Sequence, residues 1–344
     1  MDVTLWRART ELARPVAAGR QRHDTRDHVF LEVREGDHVG YGEVSPQPVA
    51  LNGDPGVGAV IAEIEGPLRT RITEIHHREG TVPDWTRTPS LRDDRAESAW
   101  AWALVEMALL DLSLRSSGDD LATRWGADGT EETMATVSLI EATPWVDTGS
   151  AYRVRAKVRP GSVLPDLLER LGDLGRPVLL DYNATAVDDD EVVETFRRVS
   201  DVVTVVAVEQ PYAPGNVAAH ARLARRGVPL SMDEGVRSVA DVRQIARYGA
   251  ATMVCVKPAR VGGVASARSL MREARHLGLR AYLGGFFESE LARGVTRALA
   301  LAECDEPSDS APVAFASASP IEPLAGGLGW RPVLERLGPG TRWT

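Results

Sequence analysis

The sequence predicts an α/β protein in which a closed βα barrel follows a smaller N-terminal α+β region. From about Met134 onward, short apolar runs alternate with helical stretches, and successive runs begin roughly 20–30 residues apart. Seven or eight such units fit into roughly 180 residues, which favours a barrel over an open sheet. Before Met134 the chain shows hairpin signals and one long helical stretch instead.

The composition indicates a globular protein with enough apolar residues for a large core. The chain has 344 residues, of which 43% are hydrophobic and 26% charged, and its formal net charge is −9. An acidic chain without a basic tract is not typical of nucleic-acid-binding proteins. No apolar leader or bilayer-length segment is present, so we expect a cytoplasmic protein without membrane contacts. The two cysteines, Cys255 and Cys304, predict neither a disulfide framework nor a zinc cluster.

The N-terminal region, residues 1–130, is predicted to be an α+β domain. Its strands are expected at residues 4–8, 29–34 and 39–44, with a polar loop over residues 14–27. Helices are expected at residues 57–65, ended by Gly66 and Pro67, and at residues 96–115. The Gly- and Pro-rich tail, residues 318–344, is expected to pack back on this domain.

The barrel is assigned to residues 131–317. Its strands are predicted at residues 135–139, 153–158, 178–180, 202–208, 230–232, 252–256 and 280–283. Helices are predicted between them, at residues 164–174, 190–199, 217–226, 239–248 and 264–277.

Lysine usage singles out two positions. Of the 40 lysines and arginines, only Lys157 and Lys257 are lysines, and both follow or end predicted strands. Lysine can lose its proton when it is buried or crowded by cations, whereas arginine keeps its charge. Barrel enzymes place their chemistry at the carboxyl ends of strands. We therefore interpret both lysines as functional; the alternative is that they survived by chance.

Three acids end three consecutive predicted strands between these lysines. They are Asp181, Glu209 and Asp233. Because the carboxyl ends of barrel strands converge, three like charges would meet there and require a cation. Hard oxygen ligands select Mg²⁺, with Mn²⁺ as the alternative. A single such acid is more often a helix cap or a solvated loop residue, but three equivalent positions predict a metal site.

These motifs resemble the enolase superfamily, which combines a lysine base with Mg²⁺. The resemblance covers nearly the whole chain and implies a (β/α)7β TIM-like barrel with an N-terminal capping domain completed by the tail. The spacings between successive acids, 28 and 24 residues, also fit the family. The motifs are Leu180-Asp181-Tyr182-Asn183, Val208-Glu209-Gln210-Pro211, Ser231-Met232-Asp233-Glu234 and Val256-Lys257-Pro258.

A lysine on the sixth barrel strand resembles the muconate-lactonizing subgroup. Two further segments resemble o-succinylbenzoate synthases and N-succinylamino acid racemases, and the Asp-x-Asp of dipeptide epimerases is missing from the later region. The segments are Gly40-Tyr41-Gly42-Glu43-Val44-Ser45-Pro46 and Gly284-Gly285-Phe286-Phe287-Glu288-Ser289. The resemblance implies Mg²⁺-dependent removal of a proton next to the carboxylate of a small-molecule substrate.

The resemblance also implies roles for individual residues. Lys157 would take the proton, and Lys257 would stabilise the resulting enediolate as a cation or act as a second base. The backbone of Gly284 and Gly285 would hold a substrate carboxylate. Asn183, two residues after Asp181, is a candidate to bind substrate or a metal-bound water. Residues 20–23, which begin with Arg20, are a candidate lid suited to a dianionic substrate, or else a solvated loop.

The second barrel strand departs from the family pattern Lys-x-Lys, whose second lysine is the base. The chain reads Arg155-Ala156-Lys157-Val158-Arg159 there, and the alternation of a strand puts all three cations on one face. If Lys157 matches the second lysine, the base is present and Arg155 replaces its helper. If Lys157 matches the first, Arg159 takes the base position as a candidate to bind substrate. Lys257 would then be the sole base, working from the opposite face, or the ancestral reaction would be lost. We favour Lys157 as the base.

Three functions follow from these alternatives. The first is a dehydration like that of o-succinylbenzoate synthase, a step of menaquinone biosynthesis. The second is an N-acylamino acid racemase or epimerase, or a muconate cycloisomerase-like enzyme. The third is a metal-binding relative without turnover. The sequence leaves the oligomeric state open, with a homo-oligomer as one option.

Overall fold

The computed structural model describes residues 2–18, 21–79, 95–127, 133–140, 149–163 and 165–343. The strands in these ranges are β1 Asp2–Ala18, β2 Gln21–Glu35, β3 His38–Val44, β4 Met134–Ser138, β5 Arg153–Lys157, β6 Val178–Asp181, β7 Val205–Glu209, β8 Leu230–Met232, β9 Met253–Val256, β10 Arg280–Leu283, β11 Ile321–Pro323, β12 Trp330–Pro332 and β13 Thr341–Trp343. The helices are α1 Val57–Glu63, α2 Arg69–Glu79, α3 Ala96–Ser117, α4 Leu121–Trp125, α5 Pro165–Leu174, α6 Asp189–Ser200, α7 Val217–Ala224, α8 Val239–Tyr248, α9 Pro258–Val261, α10 Val264–His276 and α11 Glu290–Glu303. Among these described helices, none has both the length and the apolar character needed to cross a membrane.

Strands β4 to β10 form one parallel sheet in chain order. Such strands are covered on both faces, which explains why their sequences are nearly continuous apolar runs. A segment after α11 joins the two edges of the sheet. Asp309 N–H donates to the carbonyl of Leu283 in β10 (2.9 Å), and Met134 N–H of β4 donates to the carbonyl of Ser308 (2.9 Å). The predicted TIM-like barrel with an antiparallel N-terminal cap is confirmed.

The N-terminal sheet has the order β13-β1-β2-β3. The tail returns to it, because Val3 of β1 lies opposite Trp343 of β13. The predicted loop over residues 14–27 is wrong, since β1 runs to Ala18 and β2 begins at Gln21. A shift in register between Glu11 and Val16 interrupts the pairing. The boundary that we predict at residue 130 falls outside the described residues and stays a prediction.

Charge pairing across the strands explains why a polar segment is extended. Asp27 of β2 is fully buried and accepts hydrogen bonds from Arg7 (2.9 Å) and Arg9 (3.0 Å) of β1. These ion pairs hold the pKa of Asp27 below its usual range, although burial alone would raise it. Polar composition alone therefore could not distinguish this strand from a loop.

The first helical segment does not end at Gly66 and Pro67 as predicted. A π-helical turn, Ile64–Leu68, contains both residues and connects α1 to α2. The π turn is wider than an α-helical turn, because its hydrogen bonds join each N–H to the carbonyl five positions earlier, as from Arg69 N–H to Ile64. This wider turn accommodates the proline. Ile64 and Leu68 are buried, so packing against the core keeps the helix continuous through the breaker residues.

Helix α3 is buried along most of its length and packs closely against β3. A Cβ atom on Gly42 would lie 2.3 Å from the carbonyl oxygen of Leu104, and one on Gly40 would lie 2.2 Å from that of Ala108. The two glycines of the Gly40-Tyr41-Gly42 motif are therefore required for the close approach of strand and helix.

Two buried carboxylates of the N-terminal region cap helices of the barrel. Glu43 of β3 accepts hydrogen bonds from the N–H groups of Ser289 (2.8 Å) and Ala292 (3.2 Å) at the start of α11. Glu106 of α3 accepts from Ala265 N–H (2.9 Å) at the start of α10. A carboxylate satisfies the free N–H groups of a helix N-terminus and interacts favourably with its dipole. These contacts fix the cap on the barrel.

Replacing Glu43 by alanine is expected to lower the free energy of unfolding by about 3 kcal/mol. The substitution leaves two buried N–H groups and the ring of His28, 2.8 Å away, without their acceptor. Urea denaturation measures the loss, and Glu35→Ala, at an exposed position, is the control with a change below about 0.5 kcal/mol. A loss of under about 1 kcal/mol at Glu43 would contradict this account of docking.

Candidate active site

The carboxyl ends of β5 to β9 bring the predicted lysines and acids together at the mouth of the barrel. Lys157, Asp181 and Glu209 are the last residues of adjacent strands, and the ladder places them side by side. Asp233 follows β8 and Lys257 follows β9. All five are buried, with at most 8% of each residue exposed. The acids occupy the centre and the lysines lie on either side.

Lys157 and Arg155 are the two cations of the second barrel strand that lie near the acids. Lys157 Nζ contacts Asp181 Oδ2 and donates to Asn183 Oδ1 (2.8 Å). Arg155 lies deeper in the barrel, where its guanidinium donates to Asp309 (2.7 Å). The expectation that Arg159 shares a face with Arg155 and Lys157 is wrong. Strand β5 ends at Lys157, and Arg159 is exposed on the following loop.

Lys257 lies on the other side of the acids, in surroundings that favour a cation. Its Nζ donates to Asp233 Oδ2 (2.7 Å) and lies 4.8 Å from the centre of the Phe286 ring. Arg260 donates to the other oxygen of Asp233 (2.6 Å). Burial alone would raise the pKa of Asp233, but the charges of Lys257 and Arg260 outweigh it and hold this pKa far below its usual range.

Glu209, the central acid, keeps one oxygen without a protein partner. Its Oε2 accepts from the hydroxyl of Tyr282 (2.6 Å) and lies 3.4 Å from Arg155 Nε. Its Oε1 is buried and has no hydrogen bond. Burial and the charges of Asp181 and Asp233 raise the pKa of Glu209 to about 8, against the opposing effect of Arg155.

This arrangement fits a divalent cation. The unpaired oxygen of Glu209 and the crowding of like charges both call for a positive partner. Ligand atoms of Glu209, Asp233 and Cys255 lie within 4.8 Å of one another. Burial, with the neighbouring acids, raises the pKa of the Cys255 thiol well above its ordinary value, and Mg²⁺ prefers oxygen. Asp181 ends the strand next to Glu209 but is not part of this cluster, so a Mg²⁺ site formed by Asp181, Glu209 and Asp233 stays a prediction.

Asn183 and Glu234 form a second layer around the acids. Asn183 Nδ2 donates to Glu234 Oε1 (3.3 Å), while Glu234 Oε2 is buried without a hydrogen bond. Burial, followed by the charges of Asp233 and Asp181, raises the pKa of Glu234 to about 7. Asn183 thus connects Lys157 to Glu234, as its position two residues after Asp181 allows.

The predicted Gly-Gly segment lies directly against Lys257. A Cβ atom on Gly284 would lie 2.8 Å from Lys257 Cε, so this approach requires glycine. Gly284 N–H already donates to the carbonyl of Val256 (3.0 Å), which makes it unavailable to a substrate carboxylate. Gly285 is the part of this pair that stays a candidate for that role. Arg20, the predicted lid residue, lies outside the described residues.

Sequence reasoning missed three residues of the site, two of which contact the acids directly. Tyr282 binds Glu209, Arg260 binds Asp233, and Asp54 binds Arg260 (2.7 Å). Arg260 follows Lys257 by one helical turn in α9, a spacing that could have indicated it. The sequence around Tyr282 is typical of a core strand and that around Asp54 is typical of a turn, so neither indicates a contact with the site.

His23 of β2, a residue of the predicted lid segment, is buried. Burial, and secondarily the charges of Arg26 and Lys157, lower its pKa from 6.5 to about 4. The folded state therefore holds a neutral imidazole, and stability should be lost as pH falls from about 6.5 towards 4. We expect His23→Gln to remove about 2 kcal/mol of that loss, measured by urea denaturation across this range. Identical pH profiles for the two proteins would contradict a neutral buried His23.

Comparison with known proteins agrees with this geometry. Residues 162–317 match the family described as enolase C-terminal domain-like. The chain is 31% identical over 210 residues to an N-succinylamino acid racemase of an Amycolatopsis species, covering 57% of this chain and 55% of that protein. It is 32% identical over 162 residues to an o-succinylbenzoate synthase of Enterococcus faecalis, covering 46% and 42%. The matches span about half the length of these relatives.

The whole fold is shared with a solved structure. An N-succinyl Arg/Lys racemase of Bacillus cereus superposes with a TM-score of 0.78 at 16% identity, covering 100% of this chain and 99% of that one. The family match lies within the barrel, and the shared fold includes both the barrel and the cap sheet. Residues 162–317 therefore match the enolase C-terminal domain-like family, and the chain as a whole shares the fold of this solved structure.

Proposed function

We propose that this protein is an enzyme that removes the proton next to a substrate carboxylate and then expels hydroxide, in a dehydration like that of o-succinylbenzoate synthase. The observation that carries the proposal is the position of the two lysines. Lys157 contacts Asp181 and Lys257 contacts Asp233, on opposite sides of Glu209. A substrate held at these acids would have one amine on each face.

Lys157 is assigned the role of base. Lys157 is the last residue of the buried strand β5, and its amine donates a hydrogen bond to Asn183 Oδ1 (2.8 Å), which fixes the position of the amine. The α-proton would pass to Nζ, and the resulting ammonium would assist the departure of hydroxide, so that one water leaves in total. A relative without turnover would be favoured if Arg159 held the base position, but Arg159 is exposed on the loop that follows β5.

Mg²⁺ would be held by Asp181, Glu209 and Asp233, and when bound it supplies positive charge to the carboxylate as the proton leaves. Lys257 contributes a second fixed positive charge from the opposite face. The barrel walls around these residues are buried, which strengthens both effects by excluding water.

The asymmetry of the lysines favours dehydration over racemisation. Lys257 lies against the face of Phe286, which suits a permanent cation, whereas Lys157 has no such ring contact among the residues that the structure describes. A racemase needs both lysines to exchange protons. The similarity to an N-succinylamino acid racemase nevertheless makes racemisation of N-acylamino acids the second candidate.

A spectrophotometric dehydration assay tests the first candidate. The substrate is the cyclohexadiene carboxylate precursor of o-succinylbenzoate, supplied with Mg²⁺ or with EDTA. We expect turnover with Mg²⁺ and none with EDTA. The absence of turnover by folded protein with Mg²⁺ bound would reject dehydration, and turnover of an N-succinylamino acid by the same preparation would establish the second candidate.

A further inference from the structure

A tight turn of the N-terminal region reaches the acids of the barrel. Residues 51–54, here named the cap turn, close through paired backbone hydrogen bonds between Leu51 and Asp54 (3.0 and 2.8 Å). The two central residues, Asn52 and Gly53, have φ angles of 50° and 83°. Asn-Gly is the preferred sequence for the turn type that needs two positive φ angles. The cap turn is therefore a fixed local structure.

One guanidinium joins the cap turn to a candidate metal ligand. Arg260 donates from Nε and Nη2 to the two oxygens of Asp54 (2.8 and 2.7 Å). From Nη1 it donates to Asp233 Oδ1 (2.6 Å) and to the Asp233 carbonyl (3.0 Å). All three residues are at least 97% buried. Arg260 thus donates hydrogen bonds to an acid of the cap and to an acid of the barrel at the same time.

Asn52 gives the cap turn a second contact beside the acids. Its Nδ2 lies 3.3 Å from Glu234 Oε1 and 3.4 Å from the carbonyl oxygen of Asn183. Arg237 donates to the Asn52 carbonyl (3.0 Å) and to Asp54 (3.2 Å). The turn is therefore held on both sides, and Asp54 is not free to leave Arg260 by a small rotation of the chain.

The charge of Arg260 determines how strongly Asp233 can attract a metal ion. Asp233 already forms an ion pair with the ammonium of Lys257. If the guanidinium charge of Arg260 were not offset by another acid, it would neutralise Asp233 further. The bidentate bond to Asp54 offsets the charge of Arg260 and fixes its orientation. Without Asp54, the buried guanidinium would keep Asp233 as its remaining hydrogen-bonded carboxylate. Metal affinity would then fall.

The structure assigns Asp54 as a positioning residue for the metal site, which acts through Arg260 to keep Asp233 available to Mg²⁺. This inference rests on the proposed function, because it takes Asp233 as a metal ligand. Its consequence is that a residue of the cap, distant in sequence from the barrel, sets the metal affinity of the barrel. Cap docking and metal binding are then coupled.

Titration of the full chain with Mg²⁺ by isothermal calorimetry tests the assignment. We expect Asp54→Asn to raise the Kd for Mg²⁺ about 10- to 100-fold. Glu63→Gln is the matched control, because Glu63 is another buried cap acid with an arginine partner, Arg95 at 2.7 Å. Its Kd should stay within about twofold of the unaltered protein. An unchanged Kd for Asp54→Asn, with circular dichroism showing a folded chain, overturns the assignment.

The double variant Asp54→Asn with Arg260→Gln separates positioning from structural damage. Removing the guanidinium should return the Kd to that of the unaltered protein or below it, whereas damage would leave binding as weak as in the single variant. If Asp54→Asn does not fold, Arg260→Gln alone is expected to tighten Mg²⁺ binding several-fold, and no tightening would overturn the assignment. An unaltered protein that binds no Mg²⁺ would contradict the proposed function itself.

Discussion

Replacing Lys157 by arginine is expected to lower kcat at least about 10³-fold, because arginine keeps the positive charge but cannot accept a proton. Lys157 Nζ contacts Asp181 and Asn183 at the buried end of β5, so the substitution removes the base and leaves the charge in place. Steady-state turnover of the dehydration substrate measures the loss. The Kd for Mg²⁺ should change by no more than about threefold, which separates the loss of the base from the loss of the metal.

Arg159 provides the matched control for this experiment. It is exposed, two residues beyond Lys157, and its N–H donates to Ser162 Oγ (3.0 Å). We expect Arg159→Ala to keep kcat within about threefold of the unaltered protein. Loss of turnover in Arg159→Ala together with substantial activity in Lys157→Arg would reverse the assignment of the base.

Replacing Glu209 by glutamine is expected to raise the Kd for Mg²⁺ at least about 100-fold and to lower turnover with it. Glu209 supplies the buried oxygen without a protein partner and lies next to Asp181 in the ladder. Glutamine keeps the size of the side chain and removes its charge. Mg²⁺ calorimetry and the dehydration assay measure the two effects on the same preparation.

Glu303→Gln is the control for the loss of a buried carboxylate. Glu303 ends α11 and accepts hydrogen bonds from Arg268 and Arg272 (2.9 Å each), both of α10. It is as buried as many core residues, with 6% exposed, but it belongs to the outer helices. Mg²⁺ affinity should be unchanged in this variant. Tight Mg²⁺ binding by Glu209→Gln would show that the ion binds elsewhere.

The barrel could be predicted from the sequence because its strands are buried on both faces. Strands β8 and β10 begin and end at the predicted residues, and helix α8 does as well. The cap was predicted less well. The charged segment around Asp27 is strand because Arg7 and Arg9 pair with it across the sheet, and such pairing depends on register rather than on composition.

The acids and lysines of the site could be predicted because each one is local to a strand end. Asp181 and Glu209 end adjacent strands and Asp233 follows the end of the next one, and a barrel brings the carboxyl ends of its parallel strands together. The contact between Asp54 and Arg260 joins residues that are 206 positions apart. No spacing in the sequence indicates that contact, since it depends on how the cap turn lies against the barrel.

Exchange of the α-proton in D2O, followed by proton NMR, tests the central claim most directly, because proton removal is the first step of both candidate reactions. The substrates are N-succinylamino acids of both configurations, supplied with Mg²⁺ or with EDTA. We expect Mg²⁺-dependent deuterium incorporation into at least one configuration, and none by Lys157→Arg with that configuration. Equal exchange by Lys157→Arg, or exchange that persists in EDTA, would contradict a metal-assisted lysine base at the mouth of this barrel.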